Sequence, residues 1–216
     1  LGIYKPENYA NDFKGFVSAR TALASSLNIP AVKTLSLIGV ETFIQRLKLL
    51  GFNKLLDDDF YGLSVALGSA DVSLYELVNA YRTLANNGRW SELLITPRSG
   101  NKKRERIFSE KAVFLVSDIL SDREARSITF GLENPLSTRY WSAVKTGTSK
   151  DMRDNWCIGY SDKYTVGVWV GNFRGEPMWN VSGVTGAAPV WLEIMNHLQR
   201  NSKTGNQNPP FGLLAK

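Results

Sequence analysis

Apolar residues recur every three or four positions through the first 120 residues, and the pattern then gives way to alternation and β-branched runs. Residues 17–27, rich in Ala, Leu and Ser, predict a short helix that stops ahead of Pro30, because the residue before a proline leaves the helical region. A second helix starts at Pro30, a favoured first-turn residue, and runs to Ile38 before Gly39. A third covers 41–50, with Phe43, Ile44, Leu47 and Leu50 on one face and Gly51 as its stop. Residues 52–70 read as irregular. Ser73-Leu74-Tyr75-Glu76 is a capping box. The helix it opens carries Leu74, Leu77, Val78, Tyr81, Leu84 and Ala85 as a stripe and is closed by Gly88. Residues 90–96 predict a short strand with Ile107-Phe108 returning as its partner. Ser109 caps a further helix whose stripe is Ala112, Val113, Leu115, Val116, Ile119 and Leu120.

Three strands follow, at 139–148, 155–160 and 164–172, and Ser161-Asp162-Lys163 is a tight turn that makes the last two a hairpin. Residues 191–198 form a closing helix. Segregated helices and strands of this kind imply an α+β fold. The expected division is a mainly helical lobe over 1–137, a sheet with its final helix over 138–200, and a polar linker or tail over 201–216. No internal repeat is present.

Composition narrows the functions available. Hydrophobic content of 43% and charged content of 21% suit a globular protein. No apolar run reaches the length of about 18 residues that a membrane helix needs. The first residues, Leu1-Gly2-Ile3-Tyr4-Lys5-Pro6, lack an initiator Met and read as the middle of a longer protein. The net charge is +6. Its densest cluster, Lys102-Lys103-Arg104-Glu105-Arg106, follows Pro97-Arg98-Ser99-Gly100 and reads as a solvated turn. No recognition helix accompanies it, so no nucleic-acid partner is expected. Cys157 is the single cysteine and His197 the single histidine. Neither a disulfide nor a metal site can be built from them, and no cofactor is indicated. Cys157 sits in a strand-like run and reads as a buried small hydrophobe. His197 lies in the last helix, away from any candidate partner, so acid–base chemistry must use Lys, Ser, Tyr or a carboxylate.

One stretch carries chemistry. Tyr140-Trp141-Ser142-Ala143-Val144-Lys145-Thr146-Gly147-Thr148 is a strand ending in a cation, two hydroxyls and a glycine that leaves the backbone approachable. Such an edge suits an anionic, peptide-like ligand. A second feature is Ser26-Leu27-Asn28, where a helix ends. Ser and Asn cap helices everywhere, but a Ser-x-Asn loop and a Lys-Thr-Gly strand also occur together, with a Ser-x-x-Lys nucleophile, in penicillin-binding proteins and class A β-lactamases.

The likeness extends along most of the chain. Asn8-Tyr9, Phe13-Lys14-Gly15, the run from Ala22 to Val32, Leu67-Gly68, Asn79-Ala80-Tyr81, Ala85-Asn86-Asn87-Gly88, Lys145 to Thr148, Asp154-Asn155-Trp156, Ile158-Gly159-Tyr160 and Gly167 to Asn172 together resemble the transpeptidase domain of class A penicillin-binding proteins. The resemblance implies a periplasmic enzyme, anchored to the bacterial inner membrane by an upstream segment and accompanied there by a glycosyltransferase. It implies cross-linking of peptidoglycan stem peptides through a serine acyl-enzyme, which β-lactams trap. Carried over by residue, Ser26 resembles a proton relay and Asn28 the amide that fixes the donor backbone. Lys145 resembles the strand lysine that hydrogen-bonds Ser26. Thr146 and Thr148 resemble the hydroxyls that hold the donor's terminal carboxylate. The N–H of Thr148 resembles half of an oxyanion hole, and Gly147 lets the peptide lie along the strand.

The departure from the family pattern is the nucleophile. None of the 25 residues before Ser26 gives Ser-x-x-Lys. Ser99-Gly100-Asn101-Lys102 lies in a polar turn in the wrong order, and Ser142-Ala143-Val144-Lys145 lies on a strand, where positions three apart point to opposite faces. The chain is therefore expected to be inactive alone. The strands that precede the nucleophile in the family are also missing, so 164–172 is expected to present an unpaired edge open to self-association. Two other readings remain at this point: a β-lactamase or D,D-carboxypeptidase of the same fold, and a non-catalytic module that docks peptides on the strand edge.

Overall fold

The computed structural model describes residues 6–8, 13–96, 103–202, 205 and 207–213. Helix α1 (Ala19–Ala24) is opened by Ser18, whose hydroxyl accepts from the Thr21 N–H, and is shorter than the predicted 17–27. Helix α2 (Asn28–Ile38) starts at Asn28 rather than Pro30, and Pro30 falls in its first turn, where the missing N–H is not needed. Helix α3 (Val40–Leu49) follows after Gly39. The stretch expected to be irregular contains a short helix, α4 (Asp58–Tyr61), and a 3-10 turn, Gly62–Leu67. Only Val65 of these two elements is buried, so no apolar stripe announces them.

Helix α5 (Leu74–Ala85) carries the predicted capping box, with Ser73 and Glu76 bonding reciprocally. Its C-cap is Asn86, and Gly88 lies further on, its N–H bonded to the Thr83 carbonyl. Strands β1 (Arg89–Ser91) and β2 (Arg104–Arg106) pair antiparallel with Trp90 opposite Glu105. The first strand thus stops short of 96, and Ile107 and Phe108 follow the second strand to pack on the helical core. Lys102 and the turn at 97–101 lie outside the described residues. Helix α6 (Glu110–Ser121) has the predicted Ser109 cap. Helix α7 (Arg123–Phe130) is an element that apolar spacing did not reveal; Asp122 caps it by accepting from the Ala125 N–H at 2.8 Å.

Strands β3 (Ala143–Thr148), β4 (Asp154–Tyr160) and β5 (Thr165–Gly171) form an antiparallel sheet in that order. Strand β3 begins at Ala143, not at 139, because Tyr140 and Trp141 are used elsewhere: Trp141 packs edge-on against Tyr160, and the Tyr140 hydroxyl bonds Asn196. A π-helical turn, Gly183–Ala187, leads into α8 (Ala188–Gln199), which starts three residues before the predicted Trp191.

Helix α8 covers one face of the sheet and the helical lobe covers the other. Val144, Cys157 and Val168 bury against Trp191 and Met195 of α8. Cys157 is fully buried, as expected, and burial pushes its thiol pKa up. Ala143 and Tyr160 pack on Leu120 on the opposite face, and each large side chain so buried contributes about 1.5–3 kcal/mol. Gly167 permits the lobe to dock: a Cβ there would stand 2.3 Å from Val78 of α5. A second core, with Leu35, Ile44, Leu50, Phe52 and Val65, holds the lobe together. No helix among the described residues is long and apolar enough to cross a membrane.

Candidate active site

Ser26 sits where α1 ends. The Leu27 N–H bonds the Ala22 carbonyl at 2.9 Å and the Ser26 N–H bonds the Leu23 carbonyl at 3.2 Å, the crossed pair of a Schellman motif. Its left-handed position normally belongs to Gly or Asn, yet Ser26 occupies it at φ 58°. A non-glycine residue there costs about 1–3 kcal/mol. Such strain directs attention to the side chain, and the Ser26 hydroxyl accepts a hydrogen bond from Lys145 Nζ at 2.6 Å, across 119 residues of sequence. Helix α7 fixes this corner: Ser25 Oγ donates to the Ala125 carbonyl at 2.7 Å, and Thr129 Oγ1 donates to the Ser25 carbonyl at 2.9 Å.

Lys145 projects from β3 toward the helical lobe. Its amine also donates to its neighbour's carbonyl, Thr146 O, at 2.8 Å. Alongside it opens an apolar cavity of about 360 Å3 walled by residues such as Leu23, Leu47, Tyr81, Leu84 and Val116. Burial in this setting pulls the Lys145 pKa down to about 8, with Arg126 adding a smaller repulsion. An amine titrating near neutrality can exchange a proton with the hydroxyl it touches.

Beyond Lys145, β3 becomes progressively exposed through Thr146, Gly147 and Thr148. The Ser149 N–H bonds the Asp154 carbonyl at 2.9 Å, which fixes the alternation of the antiparallel ladder. It follows that Thr146 and Thr148 turn their N–H and C=O groups away from β4, and no other strand pairs with β3 on that side among the described residues. Gly147 is not required by the fold: a Cβ there would meet only the Trp156 side chain, at an ordinary 3.6 Å or more. The Thr148 hydroxyl accepts from the Gly183 N–H at 2.9 Å, so the π-helical turn clamps the end of the strand and leaves the hydroxyl proton for another partner. Gly183 is itself squeezed onto the strand, with the Gly147 carbonyl 2.5 Å from where its Cβ would lie.

Asn28 opens α2, and its amide nitrogen donates to the Glu7 carbonyl at 2.8 Å. The neighbouring Ile29 N–H bonds Asn8 Oδ1, so residues 7–8 clasp the start of α2. The Asn28 side-chain oxygen, Oδ1, accepts nothing among the described residues. Ser142 is buried and shares a hydrogen bond with Thr138, not with Lys145, which excludes it as a partner of that lysine. Ser99 and Lys102 lie outside the described residues. The structure therefore joins Ser26, Lys145 and the free edge of β3, while the Asn28 side chain bonds the Glu7 carbonyl.

Spacing alone did not disclose the row of rings beneath this edge. Trp156 lies opposite Gly147, Trp169 lies opposite Trp156, and Phe173 continues the row. Their centroids are 6.3 and 5.4 Å apart, and Phe173 is fully exposed. Asp154 anchors the row by accepting from Trp169 Nε1 at 2.9 Å, and Ser149 in turn donates to Asp154. Alternating Trp in paired strands was the available signal.

The penicillin-binding protein transpeptidase domain model matches residues 2–196. Penicillin-binding protein 1C of Escherichia coli K12 is 31% identical over 209 residues, covering 96% of this chain and 26% of that protein. Penicillin-binding protein 1A of Clostridium botulinum (strain Hall) is 30% identical, covering 92% of this chain and 25% of the relative. The chain thus spans about a quarter of the length of these curated relatives. In fold it is similar to the crystal structure of penicillin-binding protein 1A from Haemophilus influenzae, with a TM-score of 0.78 at 20% identity, over 97% of this chain and 38% of that one. It is also similar to penicillin-binding protein A from M. tuberculosis, solved as an imipenem acyl-enzyme complex, with a TM-score of 0.70 at 16% identity over 90% of this chain and 51% of that one. On this family model and these relatives, the chain belongs to the penicillin-binding protein transpeptidase domain family.

Proposed function

We propose that the chain supplies one wall of the active site of a serine D,D-transpeptidase that cross-links peptidoglycan stem peptides and is acylated by β-lactams. The observation that carries this reading is the Lys145–Ser26 hydrogen bond beside an unpaired strand edge. In the proposed mechanism the donor peptide adds to β3 as an extra strand, using the outward groups of Thr146 and Thr148. The Thr146 and Thr148 hydroxyls hold its terminal carboxylate, under the positive potential of Lys145. The Thr148 N–H stabilises the oxyanion as the serine attacks. Lys145 and Ser26 relay the proton released by the nucleophile toward the leaving D-alanine. The Asn28 side-chain oxygen, Oδ1, accepts from the donor's backbone.

The nucleophile itself is a serine outside these residues. The apolar cavity of about 360 Å3 beside Lys145 supports this, since it leaves room for a further side chain next to the amine. A further segment of the parent polypeptide fills it and carries the Ser-x-x-Lys motif to the amine. In the same reading the parent works on the periplasmic face of the inner membrane, anchored and joined to a glycosyltransferase upstream. The outer edge of β5, unpaired among the described residues, becomes a surface for self-association when the chain stands alone.

The test is covalent labelling. Fluorescent penicillin should acylate the full-length parent and leave the isolated 216-residue chain unlabelled. A stable covalent adduct on the isolated chain would contradict the assignment of the nucleophile. A full-length parent without Ser-x-x-Lys, and without labelling, would favour the peptide-binding module instead.

A further inference from the structure

A second pocket lies apart from the β3 edge, at the other end of that strand. It has a volume of about 310 Å3 and sits between the junction of α6 with α7 and the segment at 136–142. Three arginines line it: Arg123, Arg126 and Arg139. Arg126 is only 3% exposed. Its guanidinium donates to the carbonyls of Leu136 at 2.9 Å and of Leu120, and no carboxylate pairs with it among the described residues. Asp122, the carboxylate whose charge reaches it, is engaged by Arg20. A buried cation with no directly paired carboxylate is costly, and an anion beside it would offset that cost.

The other two arginines are available. Arg123 commits only Nε, to the Leu132 carbonyl at 2.7 Å, and leaves its terminal nitrogens without a partner among the described residues. Arg139 is exposed and makes no hydrogen bond or ion pair among them. The main-chain N–H groups of Thr138, Arg139 and Tyr140 have no acceptor there either. The hydroxyl that could have served as an acceptor, Thr138 Oγ1, already donates to the Tyr140 carbonyl and shares a bond with Ser142. Guanidinium groups carry donors only. The pocket therefore offers many donors around a concentrated positive charge, which calls for a ligand that accepts from several directions at once. A carboxylate presents two oxygens in one plane, whereas a phosphate presents three or four in a tetrahedron. The volume leaves room for an alcohol esterified to it.

We propose that this pocket binds the phosphate group of a small phosphate ester, held by Arg123, Arg126 and Arg139. The source is either a soluble polyol phosphate or the headgroup of an anionic lipid, and the two are separable by experiment. The proposal does not depend on the transpeptidase reading, because it uses none of the residues at the β3 edge.

The experiment is calorimetric titration of the 216-residue chain with sodium phosphate and with glycerol 3-phosphate, at ionic strength fixed with sodium chloride. Saturable one-site binding is expected for both. The double variant Arg123→Gln/Arg139→Gln should weaken it at least about tenfold, the loss of two charge-assisted hydrogen bonds. Both side chains are exposed, so circular dichroism and the urea midpoint should be unchanged, and Arg126 is left in place to protect the fold. Trp141 lines the pocket, so its fluorescence should follow the same isotherm and the response should vanish in Trp141→Phe. Phosphatidic acid vesicles supply the second arm: binding that inorganic phosphate displaces identifies the lipid headgroup, and ester binding without vesicle binding identifies the soluble ester. The proposal is overturned by non-saturable binding, by equal affinity in the double variant, or by vesicle binding that neither phosphate nor the double variant reduces.

Discussion

Ser26 holds a position that its own fold would give to glycine, and this separates stability from function at one residue. Ser26→Gly relieves the left-handed strain but adds unfolded-state freedom worth about 0.5–1 kcal/mol. The expected result is a urea-unfolding free energy unchanged or raised by up to ~1 kcal/mol; a clear loss would mean that the bond to Lys145 holds the fold together. Lys145 gives the complementary case. Its folded pKa of about 8 lies below the ordinary 10.5, so the unfolded chain binds more protons between those values. Stability contributed by this group therefore rises as pH increases from 8 to 10.5, and is at its lowest below that window. Lys145→Met should be more stable than the wild type at pH 7, with the difference shrinking toward pH 10; urea midpoints at both pH values provide the check. These two side chains were also the hardest to pair from sequence. Nothing in the periodicity brings together positions 119 apart. It was the likeness of two short motifs to a known family that joined them, and the left-handed φ of Ser26 shows only in three dimensions.

At the level of elements, legibility followed burial. Strands β4 and β5 and the turn between them were visible because alternation and β-branched residues record a sheet with both faces covered. Helix α5 was visible through its capping box and stripe. Helix α7 was not, because polar contacts hold it: Arg126 to carbonyls, Asp122 as its cap, and reciprocal bonds of Ala125 and Thr129 with Ser25 at the end of α1. That hidden helix braces Ser26. Ser25→Ala leaves the Ala125 carbonyl without its donor and should cost about 1–2 kcal/mol, measurable by urea denaturation. The outer edge of β5 carries a second expectation. The isolated chain, of 24.1 kDa, should show a concentration-dependent mass in light scattering coupled to gel filtration. A monodisperse monomer across the micromolar range would contradict pairing along that edge.

The whole molecule is a lobe and a sheet whose shared seam carries a lysine, a strained serine and an open strand. The seam also borders an apolar cavity of about 360 Å3. Sequence conveyed the α+β class and the order of most elements. It could not convey the cavity, because the residues that wall it are scattered over α1, α3, α5 and α6 and look like ordinary core positions. The central claim is that Ser26 and Lys145 serve acylation from one wall of the site. Its most direct test is the second-order rate of acylation of the full-length parent by fluorescent penicillin, wild type against Ser26→Ala. A rate about 10²–10⁴-fold lower is expected, with an unchanged unfolding midpoint, the range lost when a proton relay is removed. An unchanged acylation rate in a folded Ser26→Ala protein would contradict it.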